Sequence, residues 1–401
     1  MNALTALHTL HAKNVTSFNG IEVPDQYSDL DKEYKALRHN VALSDYSHYT
    51  KLKIEGDEAF DVLDIAVAGD VAEIRDEQTL YTVLLDEAGN IISDVYIMND
   101  DDTYIVLSEH IDDETLLTLF KERMGEFDDV EFTSLTHSHA IIAMEGPYSW
   151  ELAKEIYGMD VIGIPFLGFI ALEEDVFLLR AGKHGEFSYK VILPNEEAEA
   201  LWNEIEEKGE RYELVKAGLA LHKLTRLENP YFSPSGNGSV SRDPRELQLQ
   251  WMVRYDKDEF YGREKLLEKR EQNLAKKVVG VVLEQGGDAH TINSGDAVIY
   301  NGETIGKIVS CGYSPSLNKV IAQAILDNTY AYAGIDAYTV KSSDGTEHKI
   351  KTTATPFVNN HSMLINPNEN SFVNPDKFRN MIEQLEAQQA QKLAEEEKAS
   401  A

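Results

Sequence analysis

Cysteine is almost missing from this chain. Cys311 is the single one in 401 residues, which excludes an internal disulfide and any thiolate metal cluster drawn from one chain. It follows the apolar run Ile308-Val309-Ser310 and is read as a small buried residue. Long apolar runs are absent too: none approaches the roughly 18–20 residues of a membrane span, and Met1-Asn2-Ala3-Leu4-Thr5 lacks the basic start and apolar core of a signal peptide. A cytoplasmic protein without membrane association is expected. Basic residues are scarce, thirty-seven against seventy acidic ones for a formal net charge of −33. Such a field repels a phosphate backbone, so nucleic acid and anionic membranes are poor partners. His8 with His11, and His137 with His139, have no acidic or histidine partners at ligand spacing, so they read as solvated or turn histidines and no metal is expected. Gly236-Asn237-Gly238 lacks the strand and helix context of a dinucleotide fingerprint, and there is neither a Walker motif nor a nucleophile elbow.

What is present has the balance of an ordinary globular protein, 42% hydrophobic with a mean hydropathy of −0.36, long enough for two or three domains. Helical spacing runs over 29–38. Thr50 to Gly56 alternates like a half-buried strand, and 57–65 reads as a helix entered through an acidic first turn. Leu80–Leu85 and Asp94–Met98 flank Asp86-Glu87-Ala88-Gly89-Asn90, which has hairpin chemistry, and a second hairpin is expected at 99–102. After a helix over 114–123 a comparable succession begins again: strand 139–144, helix 149–156, strands near 176–180 and 187–193, helix 198–207. A helical pattern over 264–276 precedes a strand-rich stretch with turns at 286–288, 294–296, 301–302 and 344–345. The expected class is α+β. The expected parts are a bipartite catalytic region over 1–276 with its second half from about 139, an antiparallel β-rich, barrel-like domain over 277–356, and a helical, fraying tail over 357–401 whose Phe378, Met381, Ile382 and Leu385 share one face.

Short segments carry a more specific message through their order: Ser44-Asp45-Tyr46-Ser47-His48, Tyr81-Thr82 leading to Gly89-Asn90-Ile91-Ile92-Ser93-Asp94, Glu145-Gly146-Pro147, Leu224-Thr225-Arg226-Leu227-Glu228, Asp256-Lys257 with Gly262-Arg263-Glu264, and Gly312-Tyr313-Ser314-Pro315. In this order and spacing the chain resembles the aminomethyltransferase, or T-protein, family of the glycine cleavage system and its demethylase relatives. The resemblance implies a three-domain arrangement around a central hole that holds tetrahydrofolate, a monomer, and removal of a methyl or aminomethyl group from a small donor. A lipoyl carrier protein is the donor in glycine cleavage itself; another amine, a sulfonium or a methoxy compound would serve a specialised relative.

By the same resemblance Asp94 is the catalytic residue, a carboxylate that orients or deprotonates around the accepting folate nitrogen. Tyr49, Tyr81 and Tyr96 wall the cofactor, and Arg226 makes a directed contact, since Glu228 at i+2 would not face it on a helix. Gly182-Lys183-His184-Gly185-Glu186-Phe187-Ser188-Tyr189-Lys190 matches a family stretch that adds Glu186 and Lys190 to the cofactor-binding set. Within it, Lys183 replaces a tyrosine, and Lys190 stands where the family places a glutamate that accepts hydrogen bonds from the pterin donor edge. An ammonium has donors only. Two further readings follow: the same scaffold with a pocket rebuilt for a non-folate ligand, in which Lys190 favours an anionic group, and a non-catalytic folate-binding protein.

Overall fold

The computed structural model describes residues 3–101, 103–123, 125–284 and 291–377. Two sheets and a barrel carry the architecture. The first sheet is five-stranded and antiparallel, in the order Gln78–Leu85, Ile91–Asp100, Thr103–Ser108, Thr50–Glu55, Glu131–Ser134. The second is six-stranded, in the order Phe169–Glu173, Val176–Arg180, Ser188–Pro194, His139–Glu145, Ala42–Asp45, Val215–Ala217, with the last pair parallel. A closed barrel joins Lys276–Leu283, Lys319–Asp327, Glu303–Ser314, Ala297–Tyr300, Tyr338–Lys341 and Glu347–Thr353. The α+β class with a C-terminal antiparallel barrel is as expected.

The two sheets repeat one design. Thr50–Glu55, helix Ala59–Ala66, three strands and helix Asp113–Arg123 are matched by His139–Glu145, helix Ser149–Tyr157, three strands and helix Asn195–Gly209. The halves meet at strand edges, where Thr79 N donates to Leu167 O at 2.8 Å and Phe169 N to Glu77 O at 3.0 Å. Apolar side chains between the layers form the core: Tyr81, Tyr96, Ile105 and Leu107 of the first sheet share a buried cluster with Ile141, Phe177 and Leu179 of the second. That cluster brings Asp94, on the strand Ile91–Asp100, within reach of the second sheet.

Local chemistry sets the approach to Asp94. In the preceding hairpin Asn90 N donates to Asp86 Oδ1 at 2.8 Å, and Gly89 takes φ +70 where a Cβ would lie 3.0 Å from Leu266 N. Only glycine combines that left-handed turn with such close passage of the helix Arg263–Arg270. The helix is shorter than its charge pattern suggests, because the chain enters the barrel strand at Lys276.

Two expectations need correcting here. Alternation over 50–56 places Lys51 on an outer face, yet Lys51 is fully buried and donates to Ser47 O at 3.0 Å and Tyr49 O at 2.8 Å. It ties down the turn before the strand, and burial lowers its pKa to about 7. His8 is likewise buried, held by Asp45 at 2.7 Å and Tyr27 at 2.6 Å. The turn at 286–288 and the amphipathic face of the tail lie outside the described residues. Over 357–377 the regular element is the short turn His361–Leu364.

Candidate active site

Asp94 is buried, opposite Val83 on the neighbouring strand, with Tyr81 and Tyr96 two residues along on the same face. Its Oδ2 accepts from the Tyr81 hydroxyl and from Lys183 Nζ, the latter at 2.5 Å. Its Oδ1 has no hydrogen-bond partner. Burial opposes the charged form, but Lys183 and then His110 outweigh it, and the Asp94 carboxyl lies below its ordinary pKa. The Tyr81 phenol is pushed well up by burial and by Asp94, so it is a donor at neutral pH.

Glu109, just beyond the strand Thr103–Ser108, completes the cluster. Its Oε1 accepts from Arg226 at 2.5 Å, and its Oε2 from Tyr49 at 2.9 Å and Lys183 at 3.3 Å. Against burial, Arg226 in the first place holds its carboxyl well below the usual range. Arg226, on the helix Leu219–Glu228, therefore makes its contact across the fold with Glu109. Glu228 pairs elsewhere, with Arg38 at 2.6 Å, Tyr34 at 2.6 Å and Ser314 of the barrel at 2.5 Å, and so ties the helix signature to the barrel segment Gly312-Tyr313-Ser314-Pro315.

His110 stands between Asp94 and open space. Its Nε2 lies 4.0 Å from Asp94 Oδ1 and 3.8 Å from Glu109 Oε2, without a hydrogen-bond partner. Burial lowers its pKa despite both carboxylates. At neutral pH the ring is therefore uncharged, and its distances to both carboxylates leave room for a further polar group.

The structure thus gathers Asp94, Tyr49, Tyr81, Tyr96 and Arg226 around one point. Glu186 is not among them. Its carboxylate accepts from Arg38, His361 N, Ser362 N and Ser362 Oγ, so it fastens the segment after the barrel. Lys190 is close by, but its ammonium donates to Ala181 O and Ser188 Oγ, both at 2.7 Å, lies 3.5 Å from Glu145 and sits over the Tyr46 ring. Its donors are consumed internally, so they do not present an anion-binding site. Glu109 and His110 escaped the sequence reading, because two polar residues at a strand end look like the start of a turn; the apolar run Tyr104–Leu107 leading straight into them was the available signal.

A cavity of about 10 Å³ remains between Tyr46, Tyr49, Tyr96, Lys183 and Arg226, space for one water at most. It shares His222 and Arg226 with a cavity of about 390 Å³ bordered by Glu109, His110, Tyr231, Asn237 and the barrel residue Gln323. The Gly236-Asn237-Gly238 loop is thus part of this wall, shaped by Asn237 Oδ1 accepting from Ser233 N at 2.9 Å. Among the described residues no group of three or more His, Cys, Asp or Glu could hold a metal ion, and no helix is long and apolar enough to cross a membrane.

Comparison with known proteins agrees with the domain order and the fold. Residues 4–257 match the GCVT N-terminal domain, and residues 276–359 match the glycine cleavage T-protein C-terminal barrel domain. The aminomethyltransferase of Chlorobaculum tepidum is 31% identical over 346 residues, 83% of this chain and 92% of that protein. That of Alkaliphilus oremlandii is 29% identical over 339 residues, 82% and 89% of the two chains. The crystal structure of glycine cleavage system aminomethyltransferase T from Bartonella henselae superimposes with a TM-score of 0.76 at 22% identity, covering 89% of this chain and 97% of that one, a likeness of fold. With the family domain spanning more than half of its length and a relative above 30% identity, this chain belongs to the glycine cleavage T-protein, or aminomethyltransferase, family.

Proposed function

We propose that the protein is a tetrahydrofolate-dependent one-carbon transferase that moves a methyl or methylene group from a small donor to folate. The carrying observation is Asp94, a buried, anionic carboxylate with one oxygen anchored by Tyr81 and Lys183 and the other without a partner. A half-satisfied buried carboxylate is costly for stability alone and suits a group that must accept a hydrogen bond or proton from a ligand.

The residues fit tetrahydrofolate. The larger cavity, about 390 Å³, is within the usual size of small-molecule sites. Arg226 Nε and His222 Nε2 are buried without partners and both border it. Arg226 and Lys223 suit anionic groups, and the Glu109 carboxylate is the acceptor that Lys190 cannot be. Tetrahydrofolate, when bound, supplies the nucleophilic nitrogen. Asp94 Oδ1 accepts the proton that this nitrogen sheds on alkylation, Tyr81 holds the carboxylate in one orientation, and neutral His110 lies between Asp94 and the cavity as a proton carrier.

The donor is a small amine, sulfonium or methoxy compound, or a one-carbon group on a lipoyl carrier protein. A second reading, a pocket rebuilt for another acceptor, draws on the missing pterin-gripping glutamate at position 190 and not on Lys190 as an anion seat, since its donors are consumed internally. The test is a turnover screen of these donors with tetrahydrofolate, following methyl- or methylene-tetrahydrofolate. Formation by the wild type and its loss in Asp94→Asn, with ligand binding retained, supports the first reading. Methyl transfer to other acceptors alone supports the second, and folate binding without turnover under any donor makes the protein a non-catalytic binder.

A further inference from the structure

Lys183 is held as a ligand would be held. Its ammonium lies 2.5 Å from Asp94 Oδ2, 3.3 Å from Glu109 Oε2, and 5.5 and 5.7 Å from the ring centroids of Tyr81 and Tyr96. Two carboxylates and two aromatic faces around a cation are the components of an onium-binding cage. The occupant is a side chain from another sheet: residues 181–187 connect the strands Val176–Arg180 and Ser188–Pro194, and Lys183 reaches from this loop into the first sheet. With the lysine seated only about 10 Å³ is left beside it, so the cage is full.

Charge counting says what could replace it. Asp94 and Glu109 are anionic and burial keeps His110 uncharged, and the two carboxylates are ion-paired with the Arg226 guanidinium and the Lys183 ammonium. The cluster is balanced with Lys183 in place. Withdrawing Lys183 leaves one uncompensated buried negative charge, which a neutral newcomer would not relieve and a cation would. The side chain is about one-tenth exposed, so a route from the cage to solvent exists along it. Asp94 Oδ1 and His110 Nε2, both buried and unpartnered, stay free for the acceptor while the guest takes the place of Lys183 beside Oδ2.

We propose that Asp94, Glu109, Tyr81 and Tyr96 form a cage for the small onium group, a quaternary ammonium, sulfonium or protonated amine, of the one-carbon donor, and that Lys183 is an internal stand-in which the donor displaces. This names the donor class for the reading above and rests on Asp94 being the reacting end. It places the donor in the small cage, next to an acceptor in the larger cavity, and narrows the donor by excluding neutral methoxy compounds.

The experiment titrates the full chain, as wild type and Lys183→Ala, with choline and with its neutral carbon isostere 3,3-dimethyl-1-butanol. Emptying the cage should tighten choline about tenfold and leave the alcohol unbound by both proteins. Equal or weaker choline affinity in a variant that still melts cooperatively overturns the proposal. Amine labelling of the wild type, mapped by mass spectrometry, decides the matter if the variant does not fold. Choline and not the alcohol should raise labelling at Lys183, and unchanged labelling overturns the proposal. A parallel titration with tetrahydrofolate keeps the two readings apart: choline binding without folate binding removes the folate acceptor and leaves the cage, and the reverse removes the cage alone.

Discussion

Two buried carboxylates, one on each of the repeated sheets, each stand beside a lysine, yet they are finished differently. Glu145, at the end of His139–Glu145, accepts from Ser44 at 2.9 Å, Tyr46 at 2.9 Å, His184 at 2.9 Å and Ser188 at 3.0 Å, with Lys190 a further 3.5 Å away. Burial opposes its charge, but His184 and then Lys190 hold its carboxyl well below the usual range. Both oxygens are occupied by groups from several strands and loops. Asp94 has one oxygen satisfied and one bare, and its lysine approaches from the other sheet. The saturated hub holds structure in place; the unsaturated one has capacity left for a ligand.

Breaking each hub should therefore give opposite outcomes. Asp94→Asn should lower turnover about 10²- to 10⁴-fold and destabilise the fold less than the change at Glu145, because Lys183 is about one-tenth exposed and keeps Glu109 as a counter-charge. Glu145→Gln should do the reverse, destabilising the fold by roughly 3–5 kcal/mol, since it leaves Lys190 buried without its counter-charge. Chemical denaturation of both variants checks the pair, and equal destabilisation would erase the distinction between the hubs.

A buried histidine outside both hubs sets part of the fold's acid response. His48, beside Tyr46 and Tyr49, is fully buried with both ring nitrogens unpartnered, and burial lowers its pKa to about 4 from 6.5. The unfolded chain therefore binds more protons between those values. Stability from this group is complete above about pH 6.5 and falls as pH drops toward 4, by roughly 3 kcal/mol in all. His48→Phe should flatten that part of a denaturation series run against pH, and an unchanged slope would show that His48 is not buried as a neutral ring. The smallest effect is expected of Ser314→Ala. It removes one of several bonds to Glu228 and should cost about 1 kcal/mol, measured by thermal melting, while folate binding is unaltered.

How much was readable in advance follows from the range of the interactions. The hairpin at 86–90 and the strand carrying Asp94 depend on neighbours within a few residues, and alternation and turn chemistry revealed them. Arg226 was recognisable as making a distant contact because its helical neighbour Glu228 points elsewhere, but the identity of Glu109, 117 positions away, is written only in the packing of helix against sheet. Lys183 and Asp94 are 89 residues apart, so a substitution that looked like the loss of a tyrosine is in the fold a gain of an ion pair. His8 misled for the same reason: polar residues are placed outside by default, and only a tertiary partner, Asp45 at 37 positions' distance, makes its burial tolerable, whereas Lys51 is buried on the local carbonyls of Ser47 and Tyr49. Lys190→Glu, the natural repair by family likeness, would set a second carboxylate beside Glu145 and says more about the hub than about the cofactor.

The most direct test of the Asp94 cluster as a ligand seat is calorimetric titration of the wild-type protein with tetrahydrofolate. Micromolar binding that weakens in Glu109→Gln is the expected result. No heat of binding from a folded, cooperatively melting wild type would contradict it.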